Sequence, residues 1–318
     1  MKKYIAMLLA LVLLLPGCTA EEKQAVQSVT YLDVFDTVTT LMGTDTRQMD
    51  MIHRQLLAYH QLFDIYNDYE GINNIKTVND NAGIMPVKVD DAIIELLKTC
   101  KEYYELTDGA VNVTMGSVLK LWHKARNEGI LPDGDALEEA KAHISIESLI
   151  IDEENRTVYL SDAEASLDVG AIAKGWVCQR VAENVPAGML ISIGGNVCAT
   201  GPKDAEGTPW TVGIKNPDGG DYLRKLTLTS GSIVTSGDYQ RYFEVDGKRY
   251  HHIIDPATGM PSEYWRSVTV LCEDSALADC LSTALFLLPL EAGKALAEQC
   301  NAQAVWVDQN GAQWSNFP

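Results

Sequence analysis

Two long stretches of the chain carry apolar residues at the spacing of a helix. In the first, the apolar positions follow one another at steps of three and four residues: Met49, Ile52, Leu56, Tyr59 and Phe63. In the second, which Asp90 can cap, they are Ile93, Leu97, Cys100 and Tyr104. Both patterns predict amphipathic helices with one buried face. Three further helices are predicted, namely a polar one over 132–142, an apolar one over 276–288 and a last one over 291–300.

Short runs of apolar and β-branched residues between turn residues predict strands. One extended segment is expected over 29–42, and paired strands are expected around turns at 153–156, 194–195, 216–220 and 245–248. The last of these turns contains Asp-Gly, the strongest short-range hairpin signal. Closing strands are predicted over 267–272, 304–308 and 313–316. The pattern indicates the α+β class, with a mixed, mainly antiparallel sheet and peripheral helices.

Length and charge restrict the class of protein further. The chain has 318 residues, of which 46% are hydrophobic, as expected for one large domain or two with a sizeable core. A formal net charge of −19 argues against a nucleic-acid partner and against attraction to anionic lipid headgroups. An anionic nucleotide would therefore need a metal ion to help it bind.

The first residues have the organisation of an export signal. Two lysines precede an apolar run over 5–15, which is shorter than a membrane-spanning helix requires. The following Leu15-Pro16-Gly17-Cys18 resembles a bacterial lipobox, so we expect acyl chains on Cys18 to anchor the protein. A plain cleaved signal peptide is the alternative. The expected location is the extracytoplasmic face of the cell membrane.

This signal divides the chain into three parts. Residues 1–17 are the expected lipoprotein signal peptide, residues 18–28 a tether, and residues 29–318 a domain of two intertwined lobes. Six cysteines lie beyond Cys18 and none forms a CxxC pair. Their apolar neighbours favour buried, unpaired side chains, although an exported protein can also hold disulfides.

The densest polar chemistry lies between residues 235 and 261. Residues 235–238 are interpreted as a turn that carries hydroxyl groups and a carboxylate. The Asp-Gly hairpin follows, and its second arm leads to His251, His252 and Asp255 before a Thr-Gly-Met-Pro turn. A lone histidine on a hairpin is usually structural. Here a histidine, an aspartate and two turns crowd together, which favours a functional site.

A second group of polar residues belongs to two helix segments. A short strand is expected to end at residues 168–170 and a helix to begin near Ala171, where free backbone groups can meet a ligand or an ion. Lys174 in the first turns opposes the helix dipole, so phosphate or ribose binding is one reason for it. Asp279 and Thr283 share one face of the apolar helix, and their oxygens suit Mg²⁺ or Ca²⁺. An exposed polar stripe explains that pair equally well.

These stretches resemble the ApbE family, the FAD:protein FMN transferases. The family's central signature is similar to TSGDYQRYFEVDGKRYHHIIDPATGMP, and other motifs of the family are similar to SLDVGAIAKGWV, GAVNVTMG and ADCLSTALF. The resemblance extends over most of the chain from about Thr39. It departs from the family at Asn112 and Asn196, where the family has aspartate, and in the loop after Asp68.

The resemblance implies a set of residues that contact FAD: Met42, Tyr66, Asn67, Asp68, Ala110, Lys174 and Ile254. Tyr66 would pack on the isoalloxazine, and a buried tyrosine at a helix end is the equally weighted alternative. The implied metal ligands are the Ala171 carbonyl, Asp279 and Thr283, with Mg²⁺ expected and Ca²⁺ as the alternative. His252 would act as the base, while Asp255 would orient His252 or contact the flavin.

The activity that the resemblance implies is Mg²⁺-dependent transfer of FMN from FAD to a threonine or serine hydroxyl of an acceptor protein, with release of AMP. The expected acceptor is a flavoprotein of a membrane or extracellular electron-transport chain. One alternative is an FAD pyrophosphatase that gives FMN and AMP. Another is a non-catalytic FAD-binding lipoprotein, which Asn112 and Asn196 favour. His252 and the Asp279–Thr283 pair argue against that storage function, because storage needs neither a base nor a metal.

Overall fold

Strands and helices are interspersed along the chain, and the computed structural model describes residues 25–317. The strands are β1 (Gln27–Val34), β2 (Thr37–Gly43), β3 (Val87–Lys88), β4 (Leu149–Asp152), β5 (Thr157–Leu160), β6 (Leu190–Ile193), β7 (Asn196–Ala199), β8 (Trp210–Ile214), β9 (Arg224–Leu228), β10 (Gly231–Gly237), β11 (Tyr242–Val245), β12 (Lys248–His251), β13 (Trp265–Cys272), β14 (Gln303–Asp308) and β15 (Gln313–Ser315). The α-helices are α1 (Thr46–Phe63), α2 (Ile75–Asp80), α3 (Asp91–Leu106), α4 (Gly116–Glu128), α5 (Gly134–Lys141), α6 (Ala173–Glu183), α7 (Ser275–Leu287) and α8 (Leu290–Gln299).

The largest sheet in the described part of the chain has eight strands. Their order is β1-β2-β6-β7-β10-β13-β14-β15, and all neighbouring pairs are antiparallel. Smaller antiparallel sheets pair β3-β5-β4, β8-β9 and β11-β12. Of the three isolated bridges among the described residues, one runs parallel, between Met115 and Ser166. The α+β class and the mainly antiparallel sheet are therefore confirmed.

Helix α7 lies against the central sheet. It packs on α6, β10 and β13, and nearly all its side chains are buried because the helix is apolar almost throughout. The main hydrophobic core joins this layer to α1 and α3. A second, smaller cluster forms around Trp122 of α4, whose ring stacks on Tyr250 of the β11–β12 hairpin. This cluster fixes the hairpin against α4.

The strongest sequence patterns gave the right elements. The predicted apolar face of α1 is buried at Met49, Ile52, Leu56 and Phe63. Asp90 caps α3 by accepting a hydrogen bond from the Ala92 N–H. At the β11–β12 turn, Asp246 and Gly247 both have positive φ, 51° and 77°, as the Asp-Gly signal requires.

Three predictions about strands and turns were wrong. The segment over 29–42 is two strands, because Phe35 and Asp36 adopt positive φ of 54° and 49° and reverse the chain. Thr235 to Gly237 are not a turn, because they form the end of β10 and pair with β13. Residues 166–170 form no strand beyond one isolated bridge, and the helix after them begins at Ala173.

Two helices and one boundary were also missed. Helices α2 and α4 were not predicted. In α4, two lysines, an arginine and a histidine interrupt the apolar residues. Strand β1 begins at Gln27, inside the expected tether. The expected signal peptide and Cys18 lie outside the described residues. Within residues 25–317, no helix is long and apolar enough to cross a membrane.

The six cysteines within the described residues are all unpaired. Four of them, Cys100, Cys178, Cys198 and Cys280, are buried, and Cys272 and Cys300 are half-buried. Burial raises the pKa of the Cys178 and Cys280 thiols well above the ordinary value. Buried, protonated thiols behave as small hydrophobic side chains, which confirms the interpretation from the sequence.

Candidate active site

A cavity of about 460 Å³ lies between the β1–β2 turn, the loop after α1, the helix α4 and the start of β11. Its lining residues are Asp36, Tyr66, His123, Arg126, Asn127, Gln240, Arg241 and Tyr242. A narrow recess behind it shares His123, Arg126 and Arg241 and reaches His251 and His252. The outer cavity has the volume of a small-molecule site.

Tyr66 stands on the wall of this cavity, and Asp64 holds the loop that presents it. The buried Asp64 carboxylate accepts hydrogen bonds from the Tyr66 and Asn67 backbone N–H groups, the Asn67 amide and the Tyr69 hydroxyl. Burial raises the pKa of Asp64, but these hydrogen bonds outweigh it and the net pKa is lowered. Tyr66 itself is 56% exposed, so the alternative of a buried helix-end tyrosine is wrong.

His123 on α4 faces Tyr66 across the cavity. The Tyr66 hydroxyl and His123 Nδ1 are 3.0 Å apart. Burial, together with Asp168, raises the pKa of Tyr66 to about 12, while burial lowers the pKa of His123. The lowered pKa favours the neutral imidazole, which shares one hydrogen bond with the protonated tyrosine hydroxyl through Nδ1. This pair fixes the aromatic ring on the cavity wall.

The two adjacent histidines have different surroundings. His251 is buried, with Nε2 2.7 Å from the Ser262 carbonyl and Nδ1 accepting from the Ile253 N–H, so it is a structural residue. His252 Nδ1 is buried and has no hydrogen-bond partner among the described residues. Burial, and then the charge of Arg241, lowers the pKa of His252 to about 3. Of these two histidines, only His252 has an imidazole nitrogen without a hydrogen-bond partner in the part of the chain that the structure describes.

Asp255 has a different partner from the one expected. Its Oδ1 accepts from the Ala257 N–H, which closes the turn at 255–259. Because that carboxylate serves the turn and His252 Nδ1 has no partner, Asp255 does not orient His252 in this structure. The Trp122 Nε1–H donates to the Gly259 carbonyl at 2.8 Å and ties the same turn to α4. The Asp255 segment thus holds its position through α4.

The second group of predicted residues meets where α6 crosses α7. Asp279 is 4% exposed, which rules out the exposed polar stripe, and its Oδ2 accepts from the Gly175 N–H at 2.8 Å. The Lys174 Nζ lies 3.7 Å from the same oxygen and donates to the Gly170 carbonyl at 2.7 Å. Burial raises the pKa of Asp279, against the lowering effect of Lys174 and the Gly175 N–H.

Oxygen atoms at this crossing fit a divalent cation. In a regular helix the Gly175 N–H would donate to the Ala171 carbonyl, but here it donates to Asp279. No described backbone N–H therefore donates to the Ala171 carbonyl, which leaves its oxygen free for a ligand. Thr283, half-buried, lies one turn beyond Asp279 on α7. Within residues 25–317 no cluster of three or more His, Cys, Asp or Glu side chains provides another metal site.

Gly175 makes this crossing possible. A Cβ added at residue 175 would lie 2.3 Å from the Ser275 carbonyl oxygen and 2.4 Å from the Asp279 Cβ. Such distances are too short for any side chain, so only glycine lets α6 approach α7 closely enough for its N–H to meet the carboxylate. Glycine at position 175 is therefore required by the packing of α6 on α7, and it also places an N–H donor beside Asp279.

The other predicted contact residues are dispersed. Met42 is half-buried against the cluster around Trp210 and does not line the cavity. Ala110 packs on the main core, and Asp68 forms an ion pair with Lys76. Asn67 supports the Tyr66 loop through Asp64, and Ile254 is buried in the Trp122 cluster beside the recess. Of the expected flavin contacts, only Tyr66 lines the outer cavity.

The two asparagines that replace family aspartates have separate uses. The Asn112 amide donates to the Ile144 carbonyl at 2.8 Å, and its oxygen accepts from the Thr114 N–H and hydroxyl. An aspartate could not make the first of these bonds. Asn196 is buried close enough to Asp279 to lower that carboxyl's pKa, yet its Nδ2 has no partner at hydrogen-bond geometry among the described residues. Asn196 therefore borders the candidate metal site.

Several cavity residues were not expected from the sequence. Arg126 and His123 were missed because α4 was missed, and Asp36 because the β1–β2 turn was read as extended chain. The sequence indicates no role for Asp168, yet its negative charge adds to the raised pKa of Tyr66 and opposes the lowering of the His123 pKa by burial. Arg241 lies inside the central motif itself, and its position in the family signature was the signal available.

Comparisons with known proteins show which family shares this sequence pattern and this fold. The sequence model of the ApbE family matches residues 28–306. A protein of Klebsiella pneumoniae named FAD:protein FMN transferase is 34% identical over 291 residues, which cover 87% of this chain and 90% of that protein. One of Treponema pallidum with the same name is 36% identical over 244 residues, 71% of this chain and 67% of its own.

Solved structures agree with the sequence comparisons. The crystal structure of the ApbE protein of Thermotoga maritima has a TM-score of 0.84 and 30% identity, and covers 91% of this chain and 96% of its own. The flavin transferase ApbE of Vibrio cholerae has a TM-score of 0.77 and 25% identity, and covers 92% and 97%. The chain belongs to the ApbE family.

Proposed function

We propose that this protein transfers the FMN part of FAD to a threonine or serine hydroxyl of an acceptor protein and releases AMP. Its relatives carry the name FAD:protein FMN transferase. The observation that supports this reaction most is His252, a neutral imidazole with a free buried nitrogen at the end of a recess that opens from the Tyr66 cavity. A general base beside the nucleotide accelerates phosphoryl transfer to a hydroxyl, and the lowered pKa of His252 keeps its imidazole unprotonated and able to accept that proton.

In this proposal the chain's own residues perform three tasks. Tyr66 supports the flavin ring, and its hydrogen bond to His123 keeps the phenol in place. Lys174 is held between the Gly170 carbonyl and Asp279, where its ammonium can neutralise phosphate charge. His252 takes the proton from the attacking hydroxyl, whose oxygen forms the new bond to phosphorus as the bond to AMP breaks. The proton goes to the imidazole and the leaving group is AMP.

Asp279, Thr283 and the Ala171 carbonyl would hold the metal ion, with Mg²⁺ proposed and Ca²⁺ as the alternative. When bound, such an ion supplies Lewis-acid stabilisation of the phosphate oxygens. The donor set fits it, because the three groups offer hard oxygens and the Asp279 carboxylate is buried beside a carbonyl that lacks an N–H donor. Burial raises the pKa of the Asp279 carboxyl, and a bound cation would act in the opposite direction by stabilising the carboxylate.

The acceptor and the location are part of the same proposal. We propose a flavoprotein of a membrane or extracellular electron-transport chain as acceptor, and a lipid on Cys18 as the anchor at the extracytoplasmic face. The lipobox-like Leu15-Pro16-Gly17-Cys18 motif supports this location. Mass spectrometry of the protein purified from its native membrane tests it. A chain that still begins at Met1, without acyl mass, would contradict the anchor.

One experiment tests the transfer itself. Purified protein, FAD and Mg²⁺ are mixed with a candidate acceptor, and the acceptor is weighed by mass spectrometry. We expect the mass of one FMN phosphoester on a threonine or serine, together with AMP in equal amount. The matched control is the acceptor with its target hydroxyl residue replaced by alanine, which should gain no mass.

The alternative reaction uses water as the acceptor and gives FMN and AMP. It is retained because the outer cavity admits solvent and His252 could deprotonate water as readily as a hydroxyl. Turnover of FAD without acceptor distinguishes the two reactions. A rate of FAD cleavage that acceptor protein does not raise would favour the pyrophosphatase.

A further inference from the structure

Two arginines of the cavity wall have no partner for their charge. Arg126 on α4 and Arg241 at the entry to β11 line both the outer cavity and the recess. Within the described residues neither guanidinium forms an ion pair, and Arg241 makes only a 3.5 Å contact with the Asp36 carbonyl. The nearby Arg249 and Arg266, in contrast, both pair with the Asp238 carboxylate.

What distinguishes these two arginines from the other arginines without an ion pair is that both line the same cavity. The chain has 44 acidic residues, yet no described carboxylate neutralises either guanidinium. Two like charges that face one cavity repel each other, and an anionic ligand would remove this cost. The Asp36 carboxylate also lines the cavity but pairs with neither arginine. Both positive charges act on residues that line the cavity, because each opposes protonation of His123 and favours ionisation of Tyr66.

We infer that Arg126 and Arg241 form a phosphate-binding subsite, which holds the FMN-side phosphate of a flavin nucleotide whose ring lies on Tyr66. Guanidinium groups present planar pairs of donors that match phosphate oxygens. The inference rests on the proposed function and deepens it. It adds a second cationic group to the one that Lys174 and the candidate metal site provide.

The position of His252 favours a nucleotide phosphate over other anions. Arg241 shares the recess with His252, and the charges of Arg241 and Lys174 both contribute to the lowered pKa of its imidazole. A dinucleotide carries two linked phosphates, one for each cationic group. Tyr66 shares the outer cavity with the arginines and not with Lys174, so the arginines receive the phosphate on the flavin side.

Binding measurements without acceptor and without metal test this subsite. The full chain is titrated with riboflavin, FMN and AMP, with flavin fluorescence for the first two and calorimetry for AMP. Arg126→Met and Arg241→Met should each weaken FMN binding about tenfold to a hundredfold, since each removes charge-assisted hydrogen bonds. Riboflavin, which has no phosphate, should bind almost as it does to the parent protein.

Matched variants control for charge and for folding. Arg54→Met removes the same charge from an exposed arginine of α1 that is also without an ion pair in the described chain, and FMN binding should not change. Arg126→Lys and Arg241→Lys keep the charge but lose the planar fork, so they should recover part of the FMN affinity. They also test the subsite if a methionine variant fails to fold.

Three results would overturn the inference. Equal losses for riboflavin and FMN would mean that the arginines act on the ring or on the fold. Loss of AMP binding, with FMN binding unchanged, would mean that the two arginines hold the adenylate phosphate of FAD instead. Unchanged FMN binding in all variants would mean that no phosphate is held. Because no acceptor is present, FMN binding that depends on the arginines would stand even if the protein modified no acceptor, so the two failures are distinguishable.

Discussion

The role of each polar residue in the site depends on the groups that it contacts. His251 and His252 are identical and adjacent in sequence, yet one is fully hydrogen-bonded and the other has a free buried nitrogen. Asp255 and Asp279 are both aspartates of motifs that resemble the family's, yet one closes a turn and the other accepts a hydrogen bond from α6. The role of each of these side chains therefore depends on its burial and on its hydrogen-bond partners, and not on the residue type alone.

The pH dependence of transfer tests the base. Burial and the Arg241 charge lower the pKa of His252 to about 3, so in the free enzyme its imidazole is neutral throughout the range from about pH 5 to pH 8. The profile of kcat/KM, which reports the free enzyme, should therefore show no acidic fall near pH 6.5. Arg241→Met should raise this pKa and move the acidic limb upward.

The companion variant is His252→Ala. It should bind FAD with nearly unchanged affinity and lose about a hundredfold to ten-thousandfold in transfer rate, the usual contribution of a general base. His251→Ala is not a suitable control, because it removes a buried structural hydrogen bond. An unaltered rate in His252→Ala would remove the base role.

Asp279→Asn tests the candidate metal site. The amide keeps an oxygen that can accept from the Gly175 N–H, but its charge is lost. We expect the affinity for Mg²⁺, measured by calorimetry, to fall at least about tenfold, and transfer to fall with it, because removing a carboxylate ligand weakens a hard-cation site. Mg²⁺ binding equal to that of the parent protein would show that the ion binds elsewhere.

At the scale of elements, the site depends on two crossings. One joins α4 to the β11–β12 hairpin and the turn after it through Trp122, and it brings His123 and Arg126 toward His252. The other joins α6 to α7 and brings Gly175 to Asp279. Both crossings are held by direct contacts between elements, so small changes in helix packing should act directly on the chemistry.

Gly175→Ala tests the second crossing. The added Cβ would meet the Ser275 carbonyl oxygen at 2.3 Å, so the helices must separate. We expect a loss of about 1–3 kcal/mol in the free energy of unfolding, measured by urea denaturation, together with weaker Mg²⁺ binding. The control is Gly134→Ala at the start of α5, where a Cβ meets nothing within 4 Å and stability should not fall. Equal stability of the two variants would contradict the close-packing argument.

At the scale of the whole molecule, stability rests on a large apolar interior. The main core joins the central sheet to α1, α3, α6 and α7, and four cysteines are buried in the described part of the chain without forming disulfides. The fold of residues 25–317 therefore needs no covalent staple, even if the protein is exported to an oxidising compartment.

Thiol mapping checks this conclusion. Protein isolated without reductant is alkylated before and after unfolding, and the modified cysteines are located by mass spectrometry. The buried Cys100, Cys178, Cys198 and Cys280 should react only after unfolding, because burial keeps their thiols protonated and covered. Any cysteine beyond Cys18 that resists alkylation until reductant is added would reveal a disulfide.

The sequence by itself determined the elements whose signals are local. The spacing of Met49 to Phe63, the cap at Asp90 and the Asp-Gly turn at 246–247 each depend on neighbours in the chain, and each gave the right element. The motif resemblance also identified the family, which the match over 28–306 confirms. Long ordered motifs carry that information without any knowledge of contacts.

Only the tertiary structure decided which residues share a cavity. Arg126 and Arg241 are far apart in sequence, and α4 was missed because its polar residues obscured the apolar period. Likewise, the sequence could not distinguish an exposed Asp279 from a buried one, or His251 from His252. Burial and hydrogen-bond partners come from segments that are distant along the chain, so they follow from packing and not from local pattern.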